Sequence, residues 1–590
     1  SHAMSEPLDL TERRFQGIPV SPGIATGTVW LQRPEDETVP HYEVQLEQTD
    51  AEVSRLEGAL LNTRLQIQEL QQRIADSIGS ADASIFDAHL LVVEDRTLLD
   101  EVVRTIRKEQ LNAESVFASV ANRYAKSLAE IDDPYLRERA IDIHDVCRRV
   151  VRNLMGCKTR ELPTSGEPRI LIAHNLTPSD TAQLNRDTIL GFATDVGSRT
   201  SHTAIMARSL NIPAVVALHD LSLAVSTGNR LLLDGYHGLA ILNPSEATLK
   251  EYAELERQKG QVERDLVSLR ETECKTIDGK HIQLSANIEM PRDVENVLKS
   301  GAVGVGLFRT EFLYLNSEEL PSEETQLEAY RSVAANLAPA PVVIRTLDMG
   351  GDKVMASMNL PQELNPFLGW RAIRFCLERV DVFKTQLRAI LRASAHGKVR
   401  LMYPMISGVE EVRRANELLR ECQTELAAEG HLFDPAMEVG VMIEIPSAAV
   451  VADLLAPEVD FFSIGTNDLI QYTLAVDRLN ERIAYLYQPT HSAILRLIKT
   501  VVDAAHAHGV AVGVCGEMAG EVALTPLLLG LGVDALSAGT ALVPRVKSAV
   551  QSLTLLECKA LAEAALKMDS AKEIYAACEA VGQERYPDLL

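Results

Sequence analysis

Apolar positions recur along the chain in successive rhythms, and each predicts a different kind of element. Residues 17–31, from Gly17-Ile18-Pro19-Val20 through Trp30, read as short strands broken by glycine and proline. From about 44 to 157 the spacing turns helical. Leu46, Val53, Leu56, Leu60, Ile67 and Leu70 fall three, four or seven apart, with charges and glutamines between them. Further helical stretches are expected at 82–107, 112–130 and 133–155. Strand-like runs return at Ile170–Ala173, Ile189–Ala193, Ala214–Val216 and Arg230–Asp234. The helical block therefore reads as an insertion into a small α/β domain whose first strands lie at 17–31. Residues 245–272 form a charged connector helix, with Ser245 as N-cap and Glu246 in its first turn. From 280 onward, eight runs rich in branched apolar residues recur: Ile282–Glu289, Val303–Arg309, Val342–Leu347, Val399–Met405, Val439–Ile445, Phe461–Thr466, Ala511–Cys515 and Ala535–Gly539. Strands buried on both faces look like this, and eight of them with helices between most fit a (β/α)8 barrel.

Composition narrows the picture. At 590 residues the chain is too long for one core and should divide into three or four domains. The expected division is an α/β domain from 1–43 and 158–244, an inserted helical domain at 44–157, a helical linker at 245–274, and a barrel at 275–590. Ser1-His2-Ala3, ahead of Met4, reads as the remnant of a cleaved tag. No apolar run reaches the roughly 18 residues that span a membrane, and no signal peptide is expected, so the reading is a cytoplasmic protein without membrane insertion. Net charge is −25, from 83 acidic and 58 basic residues. That field repels nucleic acid and favours a basic protein partner. The eight cysteines are scattered without a CxxC pair, which argues against structural zinc or a disulfide framework and fits a reducing compartment.

Barrel chemistry belongs at the C-terminal ends of strands. There the sequence places Arg309 and Glu311, Arg345 and Asp348, Glu444, Asn467 and Asp468, and Cys515 and Glu517. Any one of these alone has a bland explanation as a surface charge or small core residue. Polar residues ending five otherwise apolar strands are jointly costly unless a ligand or metal satisfies them. Glu444 and Asp468 supply hard oxygen ligands suited to Mg2+. Arg309, Arg345, Arg371 and Arg478 offer forks for phosphate and carboxylate groups. A multiply charged phosphorylated small acid fits such a site; a neutral sugar does not.

One histidine outside the barrel stands apart. In Gly197-Ser198-Arg199-Thr200-Ser201-His202-Thr203 small residues make a turn, and a short helix is expected from Thr203 to Leu210. His202 sits at its start, where unpaired N–H groups and hydroxyls can hold a phosphate. A neutral imidazole is a competent nucleophile there.

The string Thr200-Ser201-His202-Thr203-Ala204-Ile205-Met206-Ala207-Arg208, the barrel strings and Val514-Cys515-Gly516-Glu517-Met518-Ala519 together resemble Enzyme I of the bacterial phosphoenolpyruvate:sugar phosphotransferase system, in motif order over nearly the whole chain. One departure is Ser198, where many relatives carry a second glycine. The resemblance implies a swivelling phosphohistidine domain with an inserted helical bundle, a linker and a C-terminal TIM barrel. It implies Mg2+-dependent phosphorylation of His202 from phosphoenolpyruvate, giving pyruvate, then transfer to an HPr-type carrier docked on the helical insert. Arg309, Arg345 and Arg478 then resemble the phosphate-gripping arginines, with Arg371 near them, and Asn467 a further substrate contact. Glu444 and Asp468 match the Mg2+ ligands, Cys515 the acid that protonates C3 of the enolate, and the barrel is expected to form a homodimer. His202 must serve both the barrel rim and the insert, so hinges are expected near 158–167 and 243–275.

Two rivals read differently. A pyruvate phosphate dikinase or phosphoenolpyruvate synthase needs a large nucleotide-binding domain, whereas only a short leader precedes the first strands here and no glycine-rich nucleotide loop is evident. A non-catalytic regulatory binding protein would have lost one of His202, Glu444, Asp468 or Cys515, and all four are present.

Overall fold

The computed structural model describes residues 11–32, 38–77, 85–131, 134–156, 167–177, 180, 184, 187–197, 203–204, 207–208, 211–315, 319–355, 363–478, 480 and 482–590. It divides into two compact units, Ser1–Arg257 and Gln258–Leu590.

The first unit holds a mixed sheet of eight strands: β1 (Arg13–Gln16), β2 (Ile18–Ser21), β3 (Ile24–Gln32), β4 (Arg169–Ala173), β5 (Ile189–Thr194), β6 (Ala214–Val216), β7 (Arg230–Asp234) and β8 (Leu239–Leu242), in the order β1-β8-β7-β3-β4-β5-β6-β2. β3 pairs in parallel with β4, Val29 opposite Ile170. The helices Thr49–Ser77, Ile85–Val93, Arg96–Glu109, Ala113–Ala129 and Pro134–Met155 are thus inserted between neighbouring strands of one sheet. They close on their own core of Leu56, Ile67, Phe86, Val102, Phe117 and Val150. The stretch expected at 82–107 is two helices, because Asp95 caps the second: its carboxylate accepts the Leu98 N–H at 3.0 Å. Leu46, read as part of the helical stripe, lies in a 3-10 turn ahead of the first helix and is exposed. The connector helix runs Glu246–Ser268, and Ser245 caps it by accepting the Thr248 N–H at 3.2 Å.

The second unit is a closed, all-parallel barrel of β9 (Gln283–Ile288), β10 (Val305–Phe308), β11 (Val342–Arg345), β12 (Val399–Tyr403), β13 (Val439–Ile443), β14 (Phe461–Ile464), β15 (Ala511–Val514) and β16 (Ala535–Gly539). β16 returns to β9 with Ala535 opposite Gln283, which closes the ring. One set of strand residues, such as Val342, Ile344, Leu401 and Val441, packs on the surrounding helices in the large core. The alternate set forms a smaller core within the barrel from Leu307, Val343, Met402, Met442 and Cys515.

Candidate active site at the barrel mouth

Parallel strands deliver their C-terminal ends, and the loops that follow, to a single rim. Arg309 follows β10, Arg345 ends β11, Glu444 follows β13 and Cys515 follows β15, while Asn467 and Asp468 open the helix Thr466–Leu474 after β14. Gly516 lets this rim close, since a Cβ there would lie 2.0 Å from Thr466 Oγ1 and 3.0 Å from Asn467 Oδ1.

One part of the site is a buried network of acids and guanidiniums. Arg345, only 8% exposed, donates through Nη2 to Glu311 at 2.8 Å and pairs through Nη1 with Asp348 at 3.1 Å. The other oxygen of Asp348 accepts from Arg371 at 3.1 Å, and the Arg371 guanidinium lies 5.2 Å from the Phe367 ring centre. Glu444 is 1% exposed and accepts the Met405 N–H at 2.5 Å. That bond helps hold Met405 at φ +56, a left-handed backbone unusual for a bulky residue. Asp348, Glu444 and Asp468 each offer an oxygen, all within 4.8 Å of one another.

The electrostatics follow from this crowding. Burial, then the neighbouring Asp348 and Asp468, push the Glu444 carboxyl well above its ordinary range against the pull of Arg345. Burial also works against charge on Arg345, but Glu311, Asp348 and Glu444 outweigh it and hold the guanidinium protonated. Asp348 does the same for Arg371. Glu311 Oε2, Arg345 Nε and Arg371 Nε are buried with no hydrogen-bond partner. Orphaned donors beside converging carboxylates suit an oxygen-rich anion bound together with a hard cation, and the all-oxygen donor set fits Mg2+.

The other part is an open cleft of about 620 Å³, lined among others by Asn287, Arg309, Asn467, Arg478, Cys515 and Glu517. Arg309 donates to Glu289 at 2.6 Å and Arg478 to Glu517 at 2.6 Å, so both are held by partly exposed carboxylates that an incoming anion can replace. Asn467 Oδ1 accepts the Glu517 N–H at 2.9 Å. The Cys515 thiol is 3% exposed, and burial raises it above an ordinary thiol, so it carries its proton at neutral pH.

The cleft gathers Arg309, Asn467, Arg478 and Cys515. Arg345, Arg371, Glu444 and Asp468 form the buried network, and consecutive Asn467 and Asp468 tie the two together. His202 lies outside the described residues; nearby Thr203 is buried and donates to the Leu176 carbonyl at 3.1 Å. Sequence reasoning gave no role to Asp348, Glu311 or Asn287. Asp348 stands three residues after Arg345, a spacing that could have flagged it. Asn287 sits in β9, whose end was not read for chemistry.

Profiles of PEP-utilising enzymes match the chain in three successive segments: the N-terminal domain over residues 16–139, the mobile domain over 165–238 and the PEP-binding domain over 263–555. The chain is 43% identical over 562 residues to the phosphoenolpyruvate-protein phosphotransferase of Staphylococcus carnosus, covering 95% of this chain and 98% of that one. It is 45% identical to the protein of the same name from Priestia megaterium, with the same coverage. With that of Haemophilus influenzae identity is 44% over 560 residues, covering 95% of this chain and 97% of the relative.

Proposed function

The chain belongs to the phosphoenolpyruvate-protein phosphotransferase family, and from that premise we propose how its residues divide the work. It is an enzyme that moves a phosphoryl group from phosphoenolpyruvate to protein. His202 is the acceptor, and an HPr-type carrier docked on the helices of 44–157 takes the phosphoryl group onward. Residues 1–43 and 158–244 form the phosphohistidine domain, 245–274 the linker, and 275–590 the domain that binds phosphoenolpyruvate and dimerises. The protein works in the cytoplasm; among the described residues no helix is long and apolar enough to cross a membrane.

Arg309, Arg345 and Arg478, with Arg371 beside them, bind the phosphate and carboxylate of the substrate, and the Asn467 amide orients it. Permanently charged guanidiniums neutralise charge that shifts during transfer, which is most of what phosphoryl transfer asks of a protein. Glu444 and Asp468 would hold Mg2+, which supplies positive charge to the substrate oxygens. Cys515 gives its thiol proton to C3 of the enolate and so completes pyruvate.

The observation that carries this reading is the pairing of a buried guanidinium and carboxylate network with a buried thiol across one rim. Incubation with radiolabelled phosphoenolpyruvate and Mg2+ tests it. Acid-labile label on the wild type and none on His202→Ala is expected. No label on the wild type, or equal label on both, overturns it.

A further inference from the structure

Cys515 stands just past the end of β15, where the ladder that holds the strand runs out. On one side its N–H still donates to the Ile464 carbonyl of β14 at 3.1 Å. On the other side β15 and β16 keep register only at Gly513 opposite Ala535 and Val514 opposite Leu536. The Cys515 carbonyl takes its bond from further round the ring, and from a side chain: Asn287 Nδ2 donates to it at 2.9 Å. Asn287 belongs to β9, and β16 lies between β9 and β15 in the barrel. The amide therefore bridges two strands that are not neighbours, across the end of the one between them.

Strand alternation puts the amide there. Leu284, Ala286 and Ile288 of β9 pack outward on the large core, so Ser285 and Asn287 face the barrel interior. Asn287 is half-buried and also lines the cleft. The Ser537 hydroxyl of β16 donates to its Oδ1 at 2.6 Å. Gly306 makes room for that hydroxyl, since a Cβ there would lie 2.4 Å from Ser537 Oγ. The Cys515 carbonyl can only accept, so it faces the NH2 end of the amide, and Ser537 is left to fill the oxygen. Both ends of the side chain are thereby fixed, one to a strand already in register with β9 and the other to the residue that bears the thiol.

We propose that Asn287 is the positioning residue for the proton step, its amide holding the backbone of Cys515 so that the thiol meets C3 of the enolate. The inference rests on the reading of Cys515 as the acid. In that step the S–H bond breaks and its electron pair stays on sulfur. The proton bonds to C3 through the electron pair of the enolate double bond, and the C2–O bond becomes a carbonyl. Solvent entering the open cleft then returns a proton to the sulfur. Proton transfer from sulfur to carbon demands a short approach, and a misplacement of about 1 Å can cost about a hundredfold. Cys515 lies one position beyond its strand and is followed by Gly516. The Ile464 carbonyl fixes it on one side, and the Asn287 bond fixes the other.

A single-turnover experiment separates this role from a structural one. Phosphorylation of the protein is followed by rapid quench, and pyruvate by lactate dehydrogenase coupling, which does not register the enol. In the wild type the two signals rise together. For Asn287→Ala the ratio of pyruvate rate to phosphorylation rate should fall about ten- to a hundredfold. Asn287→Asp keeps the size of the side chain and the bond from Ser537 but has no N–H for the carbonyl. Its ratio should fall likewise, and it stands in if the alanine variant does not fold. An unchanged ratio, which equal slowing of both signals would give, overturns the proposal. Cys515→Ala is the control for the underlying reading: if its pyruvate signal does not lag, Cys515 is not the acid and the proposal falls with it. In the Cys515→Ala background Asn287→Ala should add no further lag, because a residue that acts through Cys515 has nothing left to position. A further lag there means that Asn287 acts on the substrate itself, and it overturns the positioning role. A lag for Cys515→Ala with none for Asn287→Ala leaves the acid in place and removes Asn287 from the mechanism.

Discussion

Asp348 is shared between two cations, with one oxygen on Arg345 and the other on Arg371. It fixes the spacing of both guanidiniums and also stands within reach of the same ion as Glu444 and Asp468. Asp348→Asn should therefore leave both arginines charged but poorly aimed, and steady-state kinetics should show kcat/KM for phosphoenolpyruvate falling about ten- to a hundredfold. Glu444→Gln keeps the shape and the bond to Met405 but removes one of the acids. Its activity should demand far more Mg2+ than the wild type, read as a right-shifted Mg2+ titration; an unmoved titration removes Glu444 from the ion's shell. At this scale the sequence was legible where a polar residue interrupts an apolar run, as Arg345, Glu444 and Cys515 do. It was silent where the role comes from geometry across strands. Nothing in the local string says that Asp348 serves two arginines contributed by separate segments.

Burial made the barrel strands legible, although the short buried strand β8 (Leu239–Leu242) was not expected. The eight barrel strands lie within a few residues of their expected positions because both faces are buried, and burial imposes unbroken apolar runs. β1 escaped notice because Arg13-Arg14-Phe15-Gln16 is an edge strand facing solvent, held by pairing with β8 rather than by a hydrophobic face. The connector helix is clamped at both ends by residues remote in sequence. At its start Glu12 accepts the Ser245 N–H at 2.7 Å and the Thr248 hydroxyl at 2.7 Å, and chiefly the Ser245 bond lowers the carboxyl to about 2. A depressed carboxyl stabilises the fold fully above its unfolded value of 4.5 and progressively less as pH falls toward 2. Glu12→Gln should lower the melting temperature of the first unit at pH 7, and the gap from wild type should shrink below pH 4.5. Just past the helix's last residue, buried Lys547 donates to the carbonyls of Leu269, Arg270, Thr272 and Gly301 at 3.0–3.3 Å. Lys547→Met fills the space but strands those carbonyls, and a loss of about 3 kcal/mol is expected in denaturant unfolding of the barrel unit.

The whole molecule holds two units with separate cores, so calorimetry should resolve two unfolding transitions. The barrel rim carries the cleft and the acidic cluster, so phosphoenolpyruvate with Mg2+ should raise the barrel's transition and leave the other nearly in place. A uniform shift of both would mean that the ligand touches both. The order of synthesis adds a consequence of the parallel pairing of β3 with β4. As the chain leaves the ribosome, β3 appears early, yet its neighbour emerges only after the entire helical block has been made. The nascent strand waits with both edges bare, since its other partner β7 comes later still, and the block meanwhile has everything it needs to fold by itself. When it does, its two ends are held together as one long loop already closed, and the late strand finds its place at far lower entropic cost. The insertion thus serves as the assembly jig of the sheet that it interrupts.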